Sequence, residues 1–253
     1  MVDMKKIVMI KLGGGLIAPK EWAWETPDGG VIGRLVKEIK SGSGDRGIVL
    51  VSGSGNFGHQ AVKKYGIDTE DGVEKVRKSA GKIGAIVAGD AAAAGLKIEL
   101  IVPHEIWPNG RTESVSESLK AGNTVVLYGD VMGIGRGEWK VWSGEKLISE
   151  TVKHMNESGR EIGMIIQVSR EEGVWDKNGK IIPEINQNNW RKIRSEVGGA
   201  TGTDVTGGML HKVEESLEIT RKFGIKTWII SGRVKGRLEK LLAGEKVFGT
   251  VVG

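Results

Sequence analysis

The sequence predicts an α/β protein built on a mostly parallel sheet with helices on both faces. Three observations predict it. Apolar, β-branched runs alternate along the chain with stretches of helical periodicity. The runs are continuous rather than alternating, as strands buried on both faces should be. Glycine clusters at 13–15, 53–58 and 129–137 follow such runs, which puts them at the carboxyl edge of the sheet, where ligands of such folds bind.

Taken in order, Ile7-Val8-Met9-Ile10 is a first strand, closed by Gly13-Gly14-Gly15. Val31, Ile32, Leu35, Val36 and Ile39 have helical spacing and predict a helix over 28–40. Ser41-Gly42-Ser43-Gly44 is a loop, and Ile48-Val49-Leu50-Val51 a second strand. Residues 73–95 read as a helix rich in small residues, followed by a strand from Ile98 to Val102. A short helix from Ser114 to Lys120 precedes the strand Thr124 to Tyr128. Residues 145–156 are helical, Ile162 to Val168 is a strand, and Asn178-Gly179 is a turn that closes a short hairpin at Ile181-Ile182. Met209, Val213, Leu217 and Thr220 share one face of a helix over 206–223. Thr227 to Ile230 is a strand, 234–242 a short helix, and Val247 to Val252 a last strand.

Composition excludes several function classes. The chain has 253 residues, of which 40 are glycine and 5 proline, against a usual glycine share of about 7 %. There is no Gly-X-Y period and no proline-rich linker, so the glycines call for local explanations. Cysteine is absent, which removes disulfides, thiolate metal sites and cysteine nucleophiles. The four histidines (His59, His104, His154, His211) have no metal-ligand spacing, and no residue is assigned as a metal ligand. A net charge of +5 suits anionic ligands, but the bases are interleaved with acids and form no nucleic-acid stripe. The N-terminal apolar run is too short for a signal segment, and none approaches a membrane span. A soluble, cytoplasmic protein that binds neither membranes nor nucleic acid is expected.

Three glycine-rich motifs carry the chemistry. Gly53-Ser54-Gly55-Asn56-Phe57-Gly58 has the spacing of a dinucleotide-binding turn, but the segment from Lys63 to Glu74 is charged where that reading needs an apolar second strand and an acid at its tip. No phosphate loop of the GxxxxGK[ST] type occurs. Lys11-Leu12-Gly13-Gly14-Gly15 puts a point charge beside bare backbone N–H groups at a strand end. Asp204-Val205-Thr206-Gly207-Gly208-Met209 opens a helix, where first-turn N–H groups and the helix dipole favour phosphate, and Lys212 can reach the same anion. Each motif taken alone also reads as an ordinary turn or capped helix.

Their order along the chain is more specific. Lys11-x-Gly13-Gly14, Gly53-x-Gly55-x-Phe57-Gly58-His59, Tyr128-Gly129-Asp130-Val131, Ser143-Gly144-Glu145, Asp204 to Met209 and Gly249-Thr250-Val251-Val252 together resemble the amino-acid kinase superfamily over residues 5–252. Within it the chain looks most like isopentenyl phosphate kinases and, more distantly, fosfomycin kinases.

The resemblance implies a three-layer αβα sandwich with two lobes: 1–160 for the phosphate acceptor and 161–253 for the nucleotide. It implies ATP, with Mg²⁺ bridging the nucleotide phosphates, and a transfer that needs charge stabilisation rather than a side-chain nucleophile. Lys11, Lys20 and Lys212 would be the catalytic cations. Gly13, Gly14, Gly15, Gly173, Trp175, Asp204, Gly207, Gly208 and Lys212 would hold the nucleotide. His59 would hydrogen-bond the acceptor phosphate, flanked by Gly53, Ser54, Gly55 and Gly58, with Gly144 on the same side. The acceptor expected is a small phosphomonoester, best matched by isopentenyl phosphate, which would become the diphosphate. A phosphonate such as fosfomycin, or a non-catalytic nucleotide or phosphate sensor, stays open. A homodimer is implied by the resemblance alone.

Several positions depart from the family pattern. Gly15 and Asn56 stand where serines are usual, Ser54 replaces a glycine, and Glu145 replaces an aspartate thought to organise the lysines. Gln167 to Trp175 replaces a Thr-Asp-Val-Asp-Gly-Val-Tyr loop beside the nucleotide. Trp22 and Trp24 beside Lys20 either cover the site or pack as apolar groups. The small residues from Ala85 to Gly95 serve either close helix packing or an acceptor pocket.

Overall fold

The structure is a computed structural model that describes residues 6–107, 110–197 and 205–253, with backbone only for 205–207. Its strands are β1 (Ile7–Leu12), β2 (Ile48–Ser52), β3 (Ile98–Leu100), β4 (Thr124–Tyr128), β5 (Asp130–Gly135), β6 (Glu138–Trp142), β7 (Ile162–Ser169), β8 (Glu184–Ile185), β9 (Thr227–Ser231) and β10 (Thr250–Val252). Its helices are α1 (Gly14–Ile17), α2 (Gly29–Ser43), α3 (Gly55–Tyr65), α4 (Glu70–Ala93), α5 (Pro103–Ile106), α6 (Glu113–Lys120), α7 (Gly144–Glu157), α8 (Gln187–Ile193), α9 (Val205–Phe223) and α10 (Arg237–Leu242).

Among the described residues eight strands form one sheet in the order β3-β4-β2-β1-β7-β9-β10-β8. Every neighbouring pair is parallel except β9 with β10. Strand alternation sorts the central residues onto two faces. Val8, Ile10, Leu12, Leu50 and Ile166 pack under α2, α4 and α10 in one core. Met9, Val49, Val51, Leu127 and Ile165 pack under α6, α7 and α9 in a second. A third core joins Met209, Val213 and Leu217 of α9 to Ile229 and Val252. This is the expected three-layer arrangement.

The differences from the sequence reading have local causes. Residues 55–65 form a helix that periodicity missed, because glycines at 55 and 58 dilute its apolar face to Phe57 and Ala61. The segment from Lys63 to Glu74 spans the end of α3 and the start of α4, where the rejected dinucleotide reading would need a strand. Residues 130–142 form an antiparallel hairpin, β5–β6, outside the main sheet. Gly133, Gly135 and Gly137 therefore lie in the hairpin rather than at the sheet edge, with open space around each. β3 ends at Leu100 because Pro103 starts α5. The Asn178-Gly179 turn closes a single bridge, Trp175 to Ile181, rather than a strand pair. The last strand spans only Thr250–Val252, and α8 was not foreseen; Asn186 and Asn189 close its capping box.

The small residues of α4 serve packing. Val87, Ala88 and Ala91 are buried in the core shared with α2, and a Cβ on Gly84 would collide with the Tyr128 ring.

Candidate active site

The carboxyl ends of β1, β2 and β7 carry Lys11, the Gly13–Gly15 and Gly53–Gly55 turns and Gln167, which the sequence reading undervalued together with Asn56. Lys11 is the fifth residue of β1, in register with Val51 of β2 and Gln167 of β7. Alternation turns it towards α7 and α9, and it is 5 % exposed. Its ammonium donates to the Glu145 carboxylate in the first turn of α7. The Ser143 hydroxyl caps that helix by accepting from the Lys146 N–H at 3.2 Å.

Burial alone would push Glu145 up, but the charges of Lys11 and Lys212 and the Lys11 hydrogen bond outweigh it and hold the carboxyl at about 2. Lys212 moves the other way. Burial, followed by the nearby Lys11 charge, lowers its ammonium to about 8 against the opposing pull of Glu145 and Glu171; Lys20 adds to the lowering. Lys212 thus feels Lys11, Glu145, Glu171 and, least of all, Lys20. Glu145 keeps its predicted place beside the lysines despite the longer side chain.

The glycine turns sit against each other. A Cβ on Gly14 would meet the Gly55 Cα at 2.8 Å, and one on Gly53 would meet the Gly14 Cα at 2.9 Å. Gly55 has φ +50°, where a side chain is strained in any case. Gly58 faces the Ser54 hydroxyl. Gly13 continues β1 by donating its N–H to the Val168 carbonyl at 2.8 Å, while Gly15 and Gly208 have open space beside them. Gly144 packs on the Lys11 stem.

His59 lies in α3, exposed. The loop that carries Lys20 is tied to the same helix by Asn56, which is fully buried. The Asn56 side-chain amide donates to the Pro19 carbonyl at 3.0 Å and to the Thr26 carbonyl at 2.8 Å. Its backbone N–H donates to the Ala18 carbonyl at 2.9 Å. Trp24 packs against Tyr65 with ring centroids 5.8 Å apart and donates to the Ser79 hydroxyl at 3.3 Å, while Trp22 is exposed.

On the other side, Gly173 is buried against Thr250 and Ile181. The Trp175 indole donates to Glu171 at 3.2 Å. The altered loop makes two ion pairs, Arg170 with Glu21 at 2.5 Å and Glu172 with Arg237. The first links it to the loop of Lys20. Asp204 lies outside the described residues, and Gly207 is described by its backbone alone.

Sequence reasoning gave no role to Gln167 and none to Asn56 beyond a substitution. The signal for Gln167 was present: it is the one polar side chain inside the run Met164-Ile165-Ile166-Gln167-Val168. Asp130, also unassigned, is a structural anchor: its carboxylate accepts from the His104 backbone N–H at 3.1 Å and pairs with the His104 ring at 2.6 Å. Among the described residues no group of three or more His, Asp or Glu could hold a metal ion, and no helix is long and apolar enough to cross a membrane.

The amino acid kinase family model matches residues 6–231. The chain belongs to the amino acid kinase family. This kinase is 28 % identical over 274 residues to the isopentenyl phosphate kinase of Methanothermobacter thermautotrophicus, covering 96 % of the chain and 98 % of the relative. It is 24 % identical over 271 residues to that of Methanocaldococcus jannaschii, covering 97 % and 98 %. Solved isopentenyl phosphate kinase structures share the fold. One superposes with a TM-score of 0.75 at 23 % identity, covering 97 % of this kinase and 99 % of that chain. The product complex of the T. acidophilum enzyme gives 0.78 at 18 %, covering 98 % and 100 %. Membership makes the chain a phosphotransferase.

Proposed function

We propose that this kinase transfers the γ-phosphoryl group of ATP to isopentenyl phosphate, giving isopentenyl diphosphate and ADP. The observation that carries the reading is the buried Lys11–Glu145 pair with Lys212 beside it, set at the strand ends next to the paired glycine turns. Phosphoryl transfer asks the protein for positioning and for positive charge around the equatorial oxygens, which this cluster supplies. The choice of acceptor rests on His59 following Gly55-Asn56-Phe57-Gly58 and on near full-length likeness to relatives named isopentenyl phosphate kinase.

In the proposed reaction an oxygen of the acceptor phosphate attacks the γ-phosphorus in line. The new P–O bond forms as the bond to the β,γ-bridging oxygen breaks, and that electron pair leaves with ADP. Lys11, Lys20 and Lys212 neutralise the charge, and Glu145 keeps the buried lysines apart and oriented. Gly14, Gly15, Gly207 and Gly208 offer backbone to the nucleotide phosphates, with Gly173, Trp175 and Asp204 on the nucleotide side; Gly13, expected among them, spends its N–H on the Val168 carbonyl and instead fixes the start of the turn. His59 with Gly53, Ser54, Gly55 and Gly58 takes the acceptor phosphate. Residues 1–160 form the acceptor lobe and 161–253 the nucleotide lobe. Mg²⁺ enters on the nucleotide as part of the substrate, the usual mode for an ion that keeps its waters and binds phosphate. A cytoplasmic homodimer completes the reading.

The test is purified protein with Mg-ATP and isopentenyl phosphate, dimethylallyl phosphate, fosfomycin, UMP and N-acetylglutamate as separate acceptors. The expected result is highest kcat/KM on isopentenyl phosphate. Turnover confined to fosfomycin, UMP or N-acetylglutamate, or none at all, overturns the assignment.

A further inference from the structure

Gln167 is the most buried polar side chain of the cluster that has no role in the reading above. It is 4 % exposed on a central strand, between Lys11 of β1 and Ile229 of β9 in register. A carboxamide shut away from water there is unfavourable unless both its ends are paired.

One end is paired. The Gln167 amide donates to the Ser216 hydroxyl oxygen at 3.3 Å, and that hydroxyl donates to the Lys212 carbonyl at 2.7 Å. The relay fixes the amide's orientation. Because the single Ser216 proton is committed to the Lys212 carbonyl, its oxygen can only accept, so the Gln167 NH₂ must face Ser216 and the carbonyl must face away. That carbonyl oxygen is buried and has no hydrogen-bond partner. Such an orphaned acceptor calls for a reason.

Two donors belong to the same layer. Lys11 is the neighbour across the strand, but its ammonium is engaged by Glu145. Lys212 lies one helical turn before Ser216 on the same face of α9, and its interactions with the surrounding charges act through space. We propose that Gln167 is a positioning residue whose carboxamide oxygen, unpartnered in this structure, accepts a hydrogen bond from the Lys212 ammonium once the nucleotide is bound, holding it beside Lys11 for the transfer. The inference rests on the kinase reading for the role of Lys212.

The hydrogen bond favours the charged form of a lysine that its surroundings discharge early. The charged groups facing Lys212 are Lys11 from β1, Lys20 from the loop after α1, Glu145 from α7 and Glu171 from the loop after β7. Each stays in place in the test, so a change at 167 alone isolates the neutral acceptor.

The experiment compares Gln167→Met, which keeps the length and removes both amide atoms, with Gln167→Glu, which keeps an acceptor. The primary readout is the pH dependence of kcat at saturating Mg-ATP and isopentenyl phosphate, which titrates the bound complex. The basic limb should move down by about one pH unit in Gln167→Met and up in Gln167→Glu, as expected for a lost or strengthened hydrogen bond to a charged group. The kcat of Gln167→Met should fall about tenfold with the acceptor KM held within about twofold, since the change acts on the transfer step. Calorimetric binding of Mg-ATP over the same pH range reads the same titration without turnover. A basic limb that stays put in both variants, by rate and by calorimetry, overturns the inference. A wild-type protein inactive on every acceptor overturns the kinase reading instead, and calorimetry still decides on Gln167. If Gln167→Met does not fold, the direction of the shift in Gln167→Glu decides.

Discussion

A Cβ on Gly144 would stand 2.5 Å from the Cε of Lys11, so the stem of the buried lysine runs against bare backbone at the first residue of α7. Helix start and lysine therefore share one space, and the path of the ammonium is set by the absence of a side chain. Gly144→Ala should displace the Lys11 ammonium and lower kcat about 100-fold, with melting temperature and ATP affinity near wild type. Unchanged kcat in a folded variant would show that Lys11 does not need this path.

Lys11→Ala and Lys212→Ala should each lower kcat by at least about 100-fold, the scale for removing one preorganised charge-stabilising group. Single-turnover rates separate this from slower product release. Full rate in either variant would sink the assigned roles.

His59→Ala should raise the acceptor KM by about 10-fold to 100-fold, as for loss of a hydrogen bond to a charged group, and leave the KM for ATP unchanged. Equal loss on both substrates would count against His59 as the acceptor ligand.

Asn56 ties the Lys20 loop to α3 with both its side-chain N–H groups. Asn56→Asp keeps the shape but removes these donors, leaving the Pro19 and Thr26 carbonyls unpaired beside a buried carboxylate. The expected cost is about 2–5 kcal/mol of unfolding free energy, together with a fall in kcat through Lys20. Denaturant melts and steady-state kinetics on the same preparation read both effects.

Two pH dependences follow from the same cluster, with opposite signs. Lys212 must be charged to stabilise the transfer, so kcat/KM should fall as pH rises through about 8. Glu145 is held at about 2 against an ordinary 4.5. Its contribution to stability is complete above the unfolded value and is lost as pH falls through the folded one. Urea midpoints measured from about pH 5 down to about pH 2 should drop more steeply in wild type than in Glu145→Gln. At neutral pH that variant should be less stable by about 3–5 kcal/mol, because the buried Lys11 ammonium loses its counter-ion. Parallel midpoint curves would remove Glu145 from that role.

How much of this was legible in the sequence depended on where each residue's constraint comes from. β1, β2, β4 and β7 could be read because burial on both faces makes a strand apolar throughout. α2 and α9 could be read because one face alone is buried. α3 could not, since its helix is dictated by packing of bare backbone against the β1 turn. The β5–β6 hairpin could not, because its exposed glycines look like turns. Lys11 and His59 stood out through their glycine neighbours, and the pattern of six motifs led to the family. The pairing of Lys11 with Glu145 spans 134 residues, and nothing local announces it. The loop-tying work of Asn56 and the relay through Ser216 are likewise products of the tertiary fold.

The contact of Gly14 with Gly53 and Gly55 has a consequence for how such a protein can change over time. On the proposed reading, the turn that meets the donor phosphate and the turn that meets the acceptor phosphate touch through main chain alone. Their separation is then as fixed as the width of a polypeptide, and no rotamer can alter it. Substitutions in the surrounding walls can retune which molecule is phosphorylated while the place of transfer stays where it is. An engineer seeking a new acceptor should therefore leave this seam untouched and redesign around it.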